Sequence, residues 1–324
     1  MFNIGIIGCG GIANGKHFPG MAQQEGVDMC AFCDLILERA EKAAKEYGTP
    51  DAKVYTDYKE LLADPTIDAV HVLTPNIAHC EITIAALEAG KHVLCEKPMA
   101  ATEADAKKML EARDRTGKML TIGYQYRHFA ENQVAKKVVD DGWLGDIYYA
   151  EATYLRRRGV PTWGVFTDKS KQGGGPLIDI GTHALDLTLF LMNNYDVDYV
   201  VGTSFEKLGR ILDAEHQGQV NHRGEFDSWN NETYDVEDSA VGHIKMKNGA
   251  VINLRAAWAI NKQSGVHDAR RHEGRPRHEG KPCPPEPCRC GTADDLLGRQ
   301  QNRAVHPGLL SGSGSEVQGS RHLG

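Results

Sequence analysis

The run Asn3-Ile4-Gly5-Ile6-Ile7-Gly8-Cys9-Gly10-Gly11-Ile12-Ala13 decides how this chain is read. Its first five residues form a short β-rich segment, and a helical pattern, Ala13–Gln24, begins where it ends. Between them, Gly8 to Ala13 spell G-x-G-x-x-A in a strand-to-helix turn. In that setting Gly8 permits the tight turn, Gly10 lets the backbone approach a pyrophosphate, and the small Ala13 lets helix and strand pack closely. The helix start adds unpaired N–H groups and a partial positive charge for the phosphates. Gly8, Gly10, Gly11, Ile12 and Ala13 are therefore expected to hold a dinucleotide.

Working outward, Asp34 ends the second β-rich run, Val27–Cys33, and stands about 20 residues beyond Ala13, where a carboxylate holds ribose hydroxyls. It would repel a 2′-phosphate, and its neighbours Leu35 and Ile36 supply no cation. The expected cofactor is NAD rather than NADP. Further strands are expected at Ala69–Leu73, His92–Cys95 and Met119–Ile122, and further helices at Leu35–Tyr47, Ile77–Ala89 and Thr102–Thr116. Such alternation predicts an α/β fold, a Rossmann-type, doubly wound parallel sheet covered by helices on both faces, over residues 1–123.

From Tyr124 the rhythm changes. A helix near Glu131–Asp140, a strand over Asp146–Leu155, a Gly/Pro/Arg-rich loop and a helix over Pro176–Met192 follow in turn. Val236–Met246 and Ala250–Ala259 flank Asn248-Gly249, a dipeptide that predicts a two-residue hairpin. Residues 124–262 thus read as an α+β domain with a mostly antiparallel sheet. Its exposed face is expected to serve as a self-association surface in a homo-oligomer.

Composition narrows the partners. With 41% hydrophobic and 25% charged residues the chain can build a sizeable core. A net charge of −7 without a dense basic cluster argues against nucleic acid. No apolar stretch approaches the ~20 residues needed to cross a bilayer, and no secretion signal is visible, so a cytoplasmic location is expected. Cys9, Cys30, Cys33, Cys80 and Cys95 scatter over strands, helices and turns, as reduced thiols do. Cys30-x-x-Cys33 falls on one strand, not at a helix start that would lower a thiol pKa, and reads as packing.

The last 62 residues, from Gln263, hold no Phe, Trp, Tyr, Ile or Met. They carry nine basic against seven acidic residues, whereas residues 1–262 carry 28 against 37. Without large apolar side chains such a segment cannot offset its ordering entropy. Residues 263–324 read as a low-order tail, produced by a reading-frame shift near codon 262 or present as a natural disordered extension. Cys283, Cys288 and Cys290 match no common zinc spacing, and no metal site is expected.

Two stretches are more specific than the glycine turn. One is Val72-Leu73-Thr74-Pro75-Asn76-x-x-His79 with Ala86-Leu87-Glu88-Ala89-Gly90-Lys91-His92-Val93-Leu94-Cys95-Glu96-Lys97-Pro98. The other is Gly173-Gly174-Gly175-Pro176-Leu177-Ile178-Asp179-Ile180-Gly181-Thr182-His183-Ala184-Leu185-Asp186. Together they closely resemble the glucose–fructose oxidoreductase / inositol dehydrogenase family, Gfo/Idh/MocA, over roughly residues 2–260. The resemblance implies a catalytic set of Lys97, Asp179 and His183, with Glu96 beside the cofactor. Relatives commonly form dimers or tetramers and continue with more sheet and a closing helix, so the second domain here is expected to be incomplete.

The residues themselves agree. Lys97 follows a strand at its carboxyl end, where open α/β sheets bind ligands. Pro98 fixes its own backbone, and its peptide bond is open to either isomer. Asp179, His183 and Asp186, spaced i, i+4, i+7, share one helix face. His183 can then be oriented by Asp179 for proton transfer, unless that acid binds a neighbouring hydroxyl instead, and Asp186 reads as a structural or inter-domain partner. Thr74, Pro75, Asn76 and His79 should line the cofactor cleft, with packing the alternative for His79. Tyr126, Arg127 and Trp163 are candidate substrate contacts; Arg127 serves equally as a tie between domains, and Trp163 as a packing residue. Arg156-Arg157-Arg158 reads as a solvated loop face, with a role toward an acidic substrate the alternative.

The expected activity is hydride transfer between NAD and a sugar, polyol or similar hydroxylated small molecule. Two rivals share the fold: an NAD-dependent glycosidase, and a catalytically silent NAD-binding protein.

Overall fold

Strand β1 (Phe2–Ile7) enters at once and buries Ile4, Ile6 and Ile7. The computed structural model describes residues 1–157, 159–161, 163–209 and 234–260. A wide π turn, Ala13–His17, leads into the short α1 (Phe18–Met21). Then come β2 (Val27–Cys33), α2 (Leu37–Tyr47), β3 (Lys53–Tyr55) and α3 (Tyr58–Leu62). After them run β4 (Ala69–Val72), α4 (His79–Glu88), β5 (His92–Cys95), α5 (Glu103–Thr116) and β6 (Leu120–Ile122). Local chemistry sets these bounds. In α5, Thr102 caps the start by accepting the Asp105 N–H, and Gly117, at φ 66°, closes the end.

The six strands form one parallel sheet in the order β3-β2-β1-β4-β5-β6. One cluster covers one face with Leu61, Ile82, Leu87 and Met109; another covers the opposite face with Phe18, Met29, Phe32 and Ala40. The strand order reverses between β1 and β4, and ligands bind at the carboxyl ends beside such a reversal. Gly8 lies at this point with φ 100°, and a Cβ there would stand 2.6 Å from the Leu73 carbonyl oxygen. Only glycine lets the loops after β1 and β4 pass this closely.

Beyond β6 come α6 (Ala130–Asp140), β7 (Tyr149–Leu155), α7 (Lys169–Gln172), a second π turn (Leu177–Gly181) and α8 (Thr182–Met192). Strands β8 (Val197–Phe205), β9 (Ser239–Met246) and β10 (Val251–Ala257) complete the described chain. The second sheet runs β7-β10-β9-β8. It is mixed: β10 pairs with β9 antiparallel and β9 with β8 antiparallel, while β7 lies parallel to β10. The face built from Ala152, Ile244, Ile252 and Leu254 packs on Ala184, Leu185, Leu189 and Met192 of α8. Fully burying a side chain such as that of Ile252 stabilises by roughly 1.5–3 kcal/mol.

Two expectations change, and a third stands. β3, α3 and β8 add to the elements read from sequence. The Asn248-Gly249 turn is not a two-residue loop. Met246 and Ala250 close it, and only Gly249, at φ 92°, has a positive φ, whereas the two-residue type I′ turn needs two. Cys30 and Cys33 do lie on β2, and burial raises both thiols, Cys33 to about 12, so neither is poised for exchange. The tail beyond residue 262, with Cys283, Cys288 and Cys290, and Arg158 of the arginine run lie outside the described residues.

Candidate active site

β5 delivers Glu96 and Lys97 to the carboxyl edge of the first sheet, and the Lys97–Pro98 peptide is cis. Glu96 is buried. Its Oε2 accepts the Lys97 backbone N–H at 3.1 Å, and its Oε1 meets His17 Nε2 at 2.8 Å. Burial raises the Glu96 carboxyl pKa, but the His17 bond and the nearby charges outweigh it and hold the group below its ordinary range. His17 ends the π turn that follows the glycine loop, so it links that loop to the Lys97 turn. Its ring also meets His71 edge-on, at 5.5 Å.

The glycine loop fits a diphosphate. At Gly10 and Gly11 an added Cβ would meet nothing within 4 Å, so open space lies above both. Ala13 is fully buried, as close helix packing requires, and Ile12 is 37% exposed at the rim. Asp34 stands at the end of β2, with Oδ2 accepting the Cys9 N–H at 2.8 Å and Oδ1 the Ile36 N–H at 2.9 Å. A carboxylate oxygen has more than one lone pair, so both oxygens keep capacity for ribose hydroxyls.

The second motif reaches the same place. Lys97 Nζ donates to the carbonyl oxygen of Asp179 and to its Oδ1, each at 3.0 Å, and both side chains are only 15% exposed. Oδ2 of Asp179 accepts the indole N–H of Trp258 at 2.9 Å. Here the structure corrects the sequence reading: the Asp179 carboxylate is spent on Lys97 and Trp258 and does not bond His183. The His183 Nδ1 is buried without a hydrogen-bond partner. Its ring instead stacks on Tyr126, with centroids 4.7 Å apart. Burial first, and then the Lys97 charge, push the His183 pKa down to about 4. Near neutral pH it is therefore uncharged.

Other candidates divide. Arg127 binds Asp186 with both Nε, at 2.8 Å, and Nη2, and its guanidinium lies over Tyr124 and Phe190. This is the tie foreseen as one of its two readings, with Asp186 as the structural partner. His79 is fully buried, and its ring nitrogens face the carbonyls of Pro98 at 2.8 Å and Thr74 at 2.9 Å. It clamps two cleft loops from beneath, which corrects the expectation that it lines the cleft. Asn76 donates its amide to the Gln172 carbonyl at 2.9 Å, and Pro75 precedes that short turn. The Thr74 hydroxyl is buried without a partner. Trp163 packs edge-on against Phe166, at 6.1 Å.

The geometry meets a recorded likeness. A family model described as "Oxidoreductase family, NAD-binding Rossmann fold" matches residues 2–124, and the "GFO/IDH/MocA C-terminal domain" matches residues 132–272. The D-glucoside 3-dehydrogenase of Escherichia coli (strain K12) is 39% identical over 80% of this chain and 70% of its own length. The chain belongs to the Gfo/Idh/MocA oxidoreductase family. A levoglucosan dehydrogenase of Pseudarthrobacter phenanthrenivorans is 33% identical over 68% of this chain, which spans 56% of that relative. A solved levoglucosan dehydrogenase in complex with NADH superposes with a TM-score of 0.65 at 27% identity, over 80% of this chain and 68% of that one.

In this Gfo/Idh/MocA chain, the triple glycine before Asp179 has a local cause. A Cβ on Gly175 would stand 2.0 Å from the Glu237 carbonyl oxygen, so only glycine fits. The Glu237 carboxylate then accepts the N–H groups of Gly175 at 2.9 Å and Leu177 at 3.1 Å, capping the Asp179 turn. Trp258, Glu237 and His17 all escaped the sequence reading. Their only trace there was an indole, an acid and an imidazole without an assigned task.

Proposed function

We propose that this chain is an NAD-dependent dehydrogenase oxidising a secondary hydroxyl of a sugar or polyol, with glucosides the first class to test. One observation carries the reading: in a chain of an NAD-binding family, an ammonium held by Asp179 acts on an uncharged imidazole whose Nδ1 has no hydrogen-bond partner. Bound NAD supplies the hydride acceptor.

The residues do the rest. The Gly8–Ala13 loop binds the diphosphate through backbone N–H groups, and Asp34 takes ribose hydroxyls. Lys97 has three N–H groups and gives two to Asp179, so the third donates to the substrate oxygen that develops negative charge. His183 takes the hydroxyl proton as the C–H hydride departs. Tyr126 holds the imidazole plane by stacking. Thr74, Pro75 and Asn76 form the cleft wall after β4, with Glu96 behind Lys97, while Tyr126 and Trp163 offer aromatic surface to a sugar ring. Incubating the purified chain with NAD and a panel of glucosides, free sugars and inositols should give NADH absorbance. Aglycone release without NADH would point instead to a glycosidase, and silence with every compound would refute the reading.

Self-association and location belong to the same proposal. Every residue of β8 is exposed, and Tyr199 and Val201 continue onto Val241 of β9. A second copy covering that face would bury it, and a monomeric mass in sedimentation would overturn this. Among the described residues no helix is long and apolar enough to cross a membrane, and Cys9, Cys30, Cys33, Cys80 and Cys95 are free thiols. These support action in a reducing cytoplasm, which cell fractionation checks.

A further inference from the structure

Asp179 has two carboxylate oxygens and two kinds of donor. Lys97 takes Oδ1; the Trp258 indole N–H takes Oδ2. Trp258 follows β10, is fully buried, and packs with Val160, Ile180, Tyr234 and Val236. Its backbone N–H donates to the Asp238 carbonyl at 3.0 Å, so chain and ring are both fixed. An indole is a donor only, and a buried donor left unpaired is costly. The fold answers that cost with a carboxylate that touches the ammonium of the site, not with a passing carbonyl.

We propose that Trp258 is a positioning residue for hydride transfer: its indole N–H locks the Asp179 carboxylate in the rotamer that presents Oδ1 to Lys97. This rests on the dehydrogenase reading of Lys97. Without the bond, the carboxylate can rotate about its Cβ–Cγ axis, and the ammonium loses a fixed partner. Other charged groups around Asp179 do not replace the indole. Arg156, at the end of β7, lies over the Tyr154 ring and donates to the Gly159 carbonyl. His183 is uncharged, and Glu237 is spent on the turn's N–H groups. Burial opposes ionisation of Asp179, but the charges of Lys97 and Arg156, with the Lys97 and indole bonds, outweigh it and hold the carboxyl below its ordinary range.

Two arms test it. The first follows the indole N–H resonances of the full chain, labelled with ¹⁵N-tryptophan, without NAD or substrate. The Trp258 signal should exchange slowly with solvent and should move in Asp179→Asn; an unmoved signal overturns the contact. The second measures NADH formation from methyl β-D-glucopyranoside, or from the best compound of the panel. Trp258→Phe keeps an aromatic ring but removes the N–H, and should lower kcat about 10- to 100-fold, the worth of a charge-assisted bond, with KM nearly unchanged. In an Asp179→Asn background the same change should cost little more. Equal losses in both backgrounds would mean that the indole acts through packing alone, and the proposal fails. Should Trp258→Phe not fold, the resonance arm decides. Absence of turnover in the unaltered chain refutes the dehydrogenase reading, while an unmoved indole signal refutes only the role of Trp258.

Discussion

The ammonium of Lys97 stands 3.0 Å from both the backbone carbonyl and the Oδ1 of Asp179, a residue 82 positions away in sequence. Two oxygens of one residue thus aim a flexible side chain. Asp179→Asn keeps the carbonyl and the shape but removes the charge. A hydrogen bond to a charged group contributes about 1.5–3 kcal/mol, so kcat should fall roughly 10- to 100-fold. NADH affinity, read by fluorescence titration, should stay as it was.

Acid should weaken the fold in a defined window. Burial, with His17 nearby, pushes the His71 pKa down to about 4, and burial with Lys97 does the same to His183. An unfolded chain protonates histidine near ~6.5. Between these values the unfolded chain binds more protons than the folded one, so stability falls as pH drops from about 6.5 towards 4. Tm measured across that range should decline less steeply in His71→Asn. His183, the proposed base, stays uncharged through the same window, so kcat/KM for oxidation should hold to about pH 5 rather than halve near 6.5.

In the proposed reading cofactor choice rests on Asp34, whose carboxylate is tied to the Cys9 and Ile36 N–H groups. Asp34→Ala should raise KM for NAD about tenfold or more, by loss of a charge-assisted bond to the ribose. It should also remove the charge that repels a 2′-phosphate, so the ratio of NADP to NAD turnover rises. Initial rates with the two cofactors give the comparison.

Gly175 predicts a sharp contrast between glycines. Ala at 175 would place a Cβ 2.0 Å from the Glu237 carbonyl oxygen, whereas Ala at 20 meets nothing within 4 Å. Overpacking costs about 1–3 kcal/mol, so Gly175→Ala should lower Tm by roughly 3–10 °C. Gly20→Ala should leave it nearly unchanged in the same calorimetric run.

The first sheet was legible because it carries strong local signals: the Gly8–Ala13 turn and the alternation of β-rich runs with helical patterns. β3 and α3, of three and five residues, are too short for periodicity to mark. β8 escaped for a different reason. All its residues are exposed, so no buried face stamps an alternation on Val197–Phe205. At the site, Lys97, Asp179 and His183 were visible as residue types in motifs, yet their partners were not. Spacing along a helix suggested that Asp179 serves His183. The fold instead brings Lys97 and Trp258 to it from 82 and 79 residues away. Such pairings are set by sheet order and by the turn at Gly175, which local sequence does not encode.

The most direct measurement is Lys97→Met assayed two ways on one preparation. Quenching or enhancement of NADH fluorescence reads cofactor binding, and NADH formation from the best sugar of the panel reads chemistry. If Lys97 steadies the developing oxygen charge, binding should match the unaltered chain while kcat falls by about 100- to 1000-fold. Turnover within a few-fold of the unaltered chain would contradict the account.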